Sequence, residues 1–273
     1  MKNFGVFLAV LFFVFSMVAQ GVEPPLVNMD TLPNLELRTQ QNSAFKAGEK
    51  LTFRIHYGFV DAGEAIIEVK NSPYKFDGRD AYHIIGTGRS LGAFNWVFKV
   101  RDRYETYMDK DGLFPHRFVR DINEGGYHKH QDYKFNQAKR AVRTHREREY
   151  ATPAFVQDMV SSFFYARCLD YSDAKLGDVF TIETFVDNEV YPLKIKFKGI
   201  EEVKMRKGTF RCMKFVPVVQ EGRIFKSEED MSVWITDDKN HIPILVQSKI
   251  LVGSIKMEMV KFEGLKNPVA KLK

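Results

Sequence analysis

The sequence predicts an all-β domain with one main helix, folded as a large curved antiparallel sheet or a partly open β-barrel. Three observations lead there. Apolar and polar side chains alternate in segment after segment, with short turns between them; one stretch follows helical spacing instead; and 24 Phe with 11 Tyr supply the apolar area of a sizeable core. No internal repeat or low-complexity tract interrupts the pattern, and residues 45–273 are expected to form one β-rich domain.

The chain opens on Met1-Lys2-Asn3 and an apolar run from Phe4 to Val18, followed by the small or polar Ala19, Gln20 and Gly21. That is the pattern of a signal peptide, assigned to residues 1–21, with small residues near a cut after either Ala19 or Gly21. The run is shorter than the roughly 20 residues a membrane-spanning helix needs, no comparable run follows, and no cysteine stands at the cut to accept a lipid. The expectation is an exported protein, periplasmic or associated with the cell envelope, without a transmembrane anchor. Residues 22–44, with Pro24, Pro25 and Pro33, show neither helical nor strand period and read as an extended lead-in.

Strand signals begin at Leu51-Thr52-Phe53-Arg54-Ile55-His56-Tyr57, where Phe53, Ile55 and Tyr57 should point inward. The turn Gly58-Phe59-Val60-Asp61-Ala62-Gly63 leads into a second strand with Ala65, Ile67 and Val69 as its apolar set. Further strands are expected at 81–87, 97–108, 117–122, 127–135, 141–148, 179–187, 191–198, 209–219, 231–236, 243–250 and 254–262. Such a series favours a sheet that curls or closes. In residues 155–169, Val156, Met159, Val160, Phe163, Phe164 and Arg167 fall near helical spacing, and Thr152-Pro153 suits an N-cap and first turn. The aromatic face of this helix should pack on the sheet; a lid over a ligand is the alternative.

Several of these segments carry a family resemblance. Phe45-x-x-Gly48-Glu49-x-Leu51-x-Phe53, Tyr57-Gly58, Ala62-Gly63-Glu64-Ala65, Asp102-x-Tyr104-Glu105-Thr106-Tyr107 and Leu113-x-Pro115 resemble the exported bacterial domain-of-unknown-function family 3108. The likeness continues through Asp158-Met159-x-Ser161 to Arg167 and through Val233-Trp234-Ile235-Thr236 with Pro243. It implies an envelope location and a β-rich fold, and supplies no catalytic residues to carry over. A looser likeness to concave periplasmic lipoprotein-carrier sheets is a matter of fold alone.

The formal charge of +6 becomes +5 without the leader, whose one ionised side chain is Lys2. The basic residues are spread among Asp and Glu rather than gathered in a tract, which argues against a nucleic-acid partner. An envelope lipid, a glycan or an envelope protein partner fits better. Signatures of a serine-hydrolase elbow, a phosphate loop or a zinc-protease helix are absent, so no cofactor is expected. The acidic run Ser227-Glu228-Glu229-Asp230 lacks the spacing of a calcium loop and reads as a turn, as does Thr236-Asp237-Asp238-Lys239-Asn240.

The strongest chemical constellation is a polar one. His128 and His130 share a strand face; a metal there would need Asp132 or His116 as well, and an exposed polar face is the simpler reading. Joined to Tyr127 and Glu124 and to the ligand candidates Arg101, Tyr104, Tyr107, Arg117 and Arg120, the pair would suit a carboxylated polysaccharide, with His or Tyr as base in a hydrolase or lyase. Against this stands non-catalytic binding of a hydrophobic or amphipathic envelope component on the concave side of the sheet, which is the expected function. Cys168 and Cys212, the two cysteines of an exported chain, are candidates for a disulfide, with two free buried thiols as the alternative.

Overall fold

The computed structural model describes residues 21–218, 231–249 and 254–272. The leader before Gly21 and the run Ser227-Glu228-Glu229-Asp230 lie outside them. The described strands are β1 (Lys50–Tyr57), β2 (Val60–Phe76), β3 (Arg79–Ser90), β4 (Arg101–Asp109), β5 (Pro115–Glu124), β6 (Tyr127–Asn136) and β7 (Ala141–Thr144). They continue as β8 (Glu149–Ala151), β9 (Val179–Val186), β10 (Glu189–Met205), β11 (Gly208–Pro217), β12 (Met231–Thr236), β13 (Pro243–Lys249) and β14 (Ser254–Glu263). All fourteen form one antiparallel sheet in the order β8-β7-β6-β5-β4-β3-β2-β1-β14-β13-β12-β11-β10-β9.

The alternation that predicts the strands is the alternation that buries them. Leu51, Phe53 and Ile55 of β1 face the same interior as Ala65, Ile67 and Val69 of β2. Tyr57, expected inside, is 38 % exposed, because β1 ends there at the rim of the sheet. The hairpins at Asp77-Gly78 and Asp187-Asn188 hold positive φ at both turn residues, which lets a two-residue turn follow the right-handed twist of its strands.

The sheet curls without closing by strand pairing. Its edges, β8 and β9, are instead covered by two extended segments. In the lead-in, Val22 exchanges backbone hydrogen bonds with Val190 of β10 at 3.0 Å each way, while Val27 N donates to Glu149 O and Ala151 N to Pro25 O. Gln157 then pairs with the exposed edge of β9, donating to Glu183 O and accepting from Phe185 N. At these positions, edge groups that would otherwise template aggregation are satisfied.

Three expectations need correction. The strand expected from residue 97 starts at Arg101, after a single helical turn, α1 (Phe94–Val97), whose side chains are not buried. The strand expected over 141–148 is two short strands, because the chain turns at Glu147 with φ 55°. The main helix, α2, runs Met159–Ala166, shorter than expected, and its N-cap is Asp158 rather than Thr152. Residues before it are consumed in covering β9, and Phe155 sits at φ 57°, where no helix can start.

Candidate functional site

Helix α2 lies inside the curl and is held at both ends by buried ionic groups. At its start, Asp158 Oδ1 accepts from Val160 N at 2.7 Å and Ser161 N at 2.8 Å, and Ser161 Oγ accepts from Asp158 N at 2.8 Å, a capping box. The other carboxylate oxygen accepts from Thr106 Oγ1 of β4 at 2.6 Å, tying the cap to the sheet. Burial pushes the Asp158 carboxyl up to about 6, partly offset by these hydrogen bonds. At its end, Arg167 is 2 % exposed and pairs with Glu49, which is 1 % exposed, through bonds of 2.6 and 2.9 Å. Its Nε donates to Asn240 O at 2.9 Å, and the Phe45 and Phe164 rings flank the guanidinium. Acid at the N-terminus and base at the C-terminus also suit the helix dipole.

Between α2 and the inner face of β10–β13 the helix leaves a crevice of about 100 Å³. Phe163 and Ala166 form its helix side, and Ile195, Phe215, Val233 and Val246 much of its sheet side. The polar groups that reach it are spent. Arg167 is neutralised by Glu49; the Tyr171 hydroxyl donates to Ala166 O at 2.8 Å; and His241, whose pKa burial lowers, is bonded through Nδ1 to Arg167 O at 2.7 Å. The crevice is therefore apolar, with no charge left to solvate.

A second interior group is polar. Arg120 of β5, 3 % exposed, meets Gln131, Asp187 and, at 3.3 Å, Met159 Sδ of the helix. Asp187 also accepts from Lys129 Nζ at 2.6 Å, and Tyr133 donates to Asn188 at 3.1 Å. These bonds clasp the β9–β10 turn to β5 and β6 across the unpaired gap, so the cluster fastens the curl. Desolvation would raise the Asp187 carboxyl, but Arg120 and Lys129 outweigh it and hold it below the usual range. Nearby, burial and the Asp102 carboxylate push Glu124 up to about 8, and burial raises Asp102 as well.

A cleft of about 410 Å³ lies among the β2–β3, β4–β5 and β6–β7 turns, lined by Arg79, His116, Arg117, Lys134 and Arg143 with aromatic Phe76 and Phe114. Most of its cations are already paired. Asp109, fully buried as a side chain, takes Arg79 at 2.6 and 2.7 Å and His116 at 3.0 Å. Burial would raise that carboxyl, and these hydrogen bonds together with Gly112 N–H hold it well below the ordinary range. Arg117 grips Asp132 and Arg143 grips Glu149, which leaves Lys134 with no carboxylate partner among the described residues.

The residues singled out from sequence are distributed over these regions rather than gathered. His128 and His130 do share the outer face of β6, where His130 meets Asp121. Tyr127 starts the same strand on the opposite face and is 57 % exposed. Tyr107 is on the outer face of β4, stacked on His83 at 4.4 Å, and Arg117 is its register partner. Arg101 is exposed at the far end of that strand, whereas Tyr104 and Arg120 face inward. The period-two geometry that puts the two histidines together separates them from Tyr104 and Arg120, so the polysaccharide-cleaving set is not assembled. His116 belongs to Asp109 and not to the histidine pair, and no three metal-ligating side chains converge among the described residues. Cys168 and Cys212 are free thiols: Cys168 Sγ is 3.6 Å from Asn42 Oδ1, and Cys212, buried in β11, is directed at Phe210 O. Of the two alternatives that the sequence leaves open for this pair, the structure has the free thiols. The Arg167–Glu49 pair, Asp158, Asp187 and the crevice were not singled out as a site from sequence; their common signal is a charged residue inside an apolar period, visible only at Arg167.

The fold and this interior define a class of curled, open β-sheets wrapped on a short helix. Residues 52–260 match the model of a protein family of unknown function, DUF3108, and the chain belongs to that family. Among solved structures, a β-barrel-like DUF1849 protein from Brucella abortus is similar over 82 % of this chain and 100 % of its own, with TM-score 0.53 and 12 % identity, a likeness of fold. A Parabacteroides distasonis protein provisionally described as a lipoprotein covers 83 % of this chain and 100 % of its own at 9 % identity and TM-score 0.34. A Bacteroides fragilis protein provisionally described as exported, with a YmcC-like fold, covers 84 % and 100 % at 10 % identity and TM-score 0.30. No curated protein matches the sequence. Among the described residues, no helix is long and apolar enough to cross a membrane.

Proposed function

We propose that the protein is an exported, non-catalytic binder of a hydrophobic or amphipathic component of the cell envelope, whose apolar segment enters the crevice beside α2. The observation that carries this reading is the crevice itself, apolar, neutral and placed on the concave face between a pinned helix and four strands. Export rests on the leader read from the sequence. An apolar cavity of roughly 150 Å³ is enough to hold a benzene-sized molecule, so this one suits the end of an acyl chain rather than a whole lipid. Burying about four methylenes would contribute about 3 kcal/mol.

The test is a fluorescence titration with N-phenyl-1-naphthylamine, displaced by a long-chain fatty acid. Ala166→Phe places a ring in the crevice. The expected result is saturable binding to the wild type that weakens about a hundredfold in the variant, with the thermal midpoint within a few degrees of wild type. Equal binding by the two folded proteins would overturn the reading.

A further inference from the structure

Three connections at one end of the strands carry large apolar side chains in the open. Phe59 and Val60 at the β1–β2 turn are 105 % and 52 % exposed, Trp96 and Val97 of α1 are 92 % and 86 %, and Tyr127 after the β5–β6 turn is 57 %. The connections are neighbours. Leu91 N donates to Ala62 O at 2.9 Å, the Phe94 ring meets Tyr57 at 6.2 Å, and Gly125 N donates to Lys99 O at 2.9 Å, with Phe98 packed against Gly125. Residues 57–60, 91–98 and 125–127 contain no Asp, Glu, Lys or Arg, in a chain that is 28 % charged. Single exposed apolar residues need no explanation, but a cluster confined to adjacent loop tips does.

Immediately behind this rim stand two cations of a particular kind. Lys99 and Arg101 are exposed and have no carboxylate partner among the described residues. Arg89 and Arg54, by contrast, are matched, Arg89 with Glu64 at 2.8 Å and Arg54 with Asp61 at 3.4 Å. Protruding tips bearing Trp, Phe and Tyr suit the interfacial layer of a bilayer, where amphipathic rings sit at headgroup level. A protein partner would instead have to surround several separate projections. Unmatched Lys and Arg directly behind the rings complement the phosphates of anionic lipid.

We propose that this rim docks the protein on the surface of a membrane containing anionic phospholipid, with Phe59, Trp96 and Tyr127 entering the headgroup region and Lys99 and Arg101 facing the phosphates. The proposal does not rest on the crevice, and a protein with a filled crevice would still dock.

Trp96 provides the reporter, since the other tryptophan, Trp234, is 9 % exposed and bonded to Glu201. Protein recovered from the exported fraction of expressing cells is mixed with vesicles of phosphatidylethanolamine and phosphatidylglycerol, or of phosphatidylcholine alone. Tryptophan emission and co-sedimentation are then read. The expected result is a shift to shorter wavelength with the anionic vesicles, lost in Trp96→Phe, and at least tenfold weaker co-sedimentation of Phe59→Ser/Trp96→Ser. Lys99→Gln/Arg101→Gln should lower partitioning to anionic vesicles about thirtyfold, at about a fivefold loss per surface cation. Ala166→Phe should sediment like wild type, which separates this proposal from the binding reading. Wild-type emission and sedimentation unchanged by anionic vesicles would overturn it. So would self-association in sedimentation equilibrium that Phe59→Ser/Trp96→Ser abolishes while vesicle binding is absent, which would make a second copy the occupant of the rim.

Discussion

Replacing Glu49 by Gln tests how α2 is held. The substitution keeps the side chain's shape but removes the charge that neutralises Arg167, a guanidinium 2 % exposed, and turns one of its two acceptors, at 2.6 and 2.9 Å, into a donor. The acceptors that remain are the single amide oxygen of the new side chain and two backbone oxygens, Asn240 at 2.9 Å and Ala44 at 3.5 Å, none of which balances a buried charge. Breaking one side of such a pair costs about 3–5 kcal/mol, whereas replacing both members with apolar groups of similar volume is often neutral. The expectation is a loss of about 3 kcal/mol for Glu49→Gln in urea unfolding followed by far-ultraviolet circular dichroism at pH 7, and a smaller loss for Glu49→Leu/Arg167→Met. Because Arg167 lines the crevice, naphthylamine binding should weaken in the single variant as well. A loss under about 1 kcal/mol for Glu49→Gln would refute the claim that this pair pins the helix.

Two further outcomes follow from the polar groups. Glu124 is held as a carboxylic acid to about pH 8 in the folded chain, so between its ordinary range near 4.5 and pH 8 the folded state binds more protons than the unfolded one. Stability from this pair is therefore fully present at low pH and falls as pH rises through that window, and Glu124→Gln should flatten the dependence and stabilise at pH 8 by about 1–2 kcal/mol after allowance for solvent screening, read as a thermal midpoint against pH. His128→Ala/His130→Ala should cost less than about 1 kcal/mol in the same unfolding assay, since both lie on an exposed strand face and the His130–Asp121 pair is solvated; a loss of several kcal/mol would mean the pair is structural.

Much of the sheet was legible because a strand with one buried face writes its geometry into every second residue. Phe53, Ile55, Ala65, Ile67 and Val69 are buried as their alternation requires. The ends of elements were harder to read, because a neighbour decides them. Thr152-Pro153 has the composition of a helix start, but Gln157 is drawn into pairing with β9 and Asp158 alone meets both the helix amides and Thr106. The site was less legible still. Period two groups residues within one strand and is silent about which strands curl over one another, so Arg120 and Arg117 look alike in sequence while one is clasped inside by Asp187 and the other grips Asp132 outside. The Cys168–Cys212 expectation rested on compartment, and the thiols face different partners. The crevice is made by what α2 fails to cover, a property of packing that no single segment encodes.

The most direct measurement is photolabelling with a fatty acid that carries a diazirine near the end of its chain, followed by peptide mass spectrometry. Binding in the crevice predicts label on α2 and on β11 and β12, centred on Phe163, Phe215 and Val233, competed by unlabelled fatty acid and lost in Ala166→Phe. Label confined to the Phe59 and Trp96 rim or to the Arg79 cleft, or label that Ala166→Phe leaves unchanged, would contradict it.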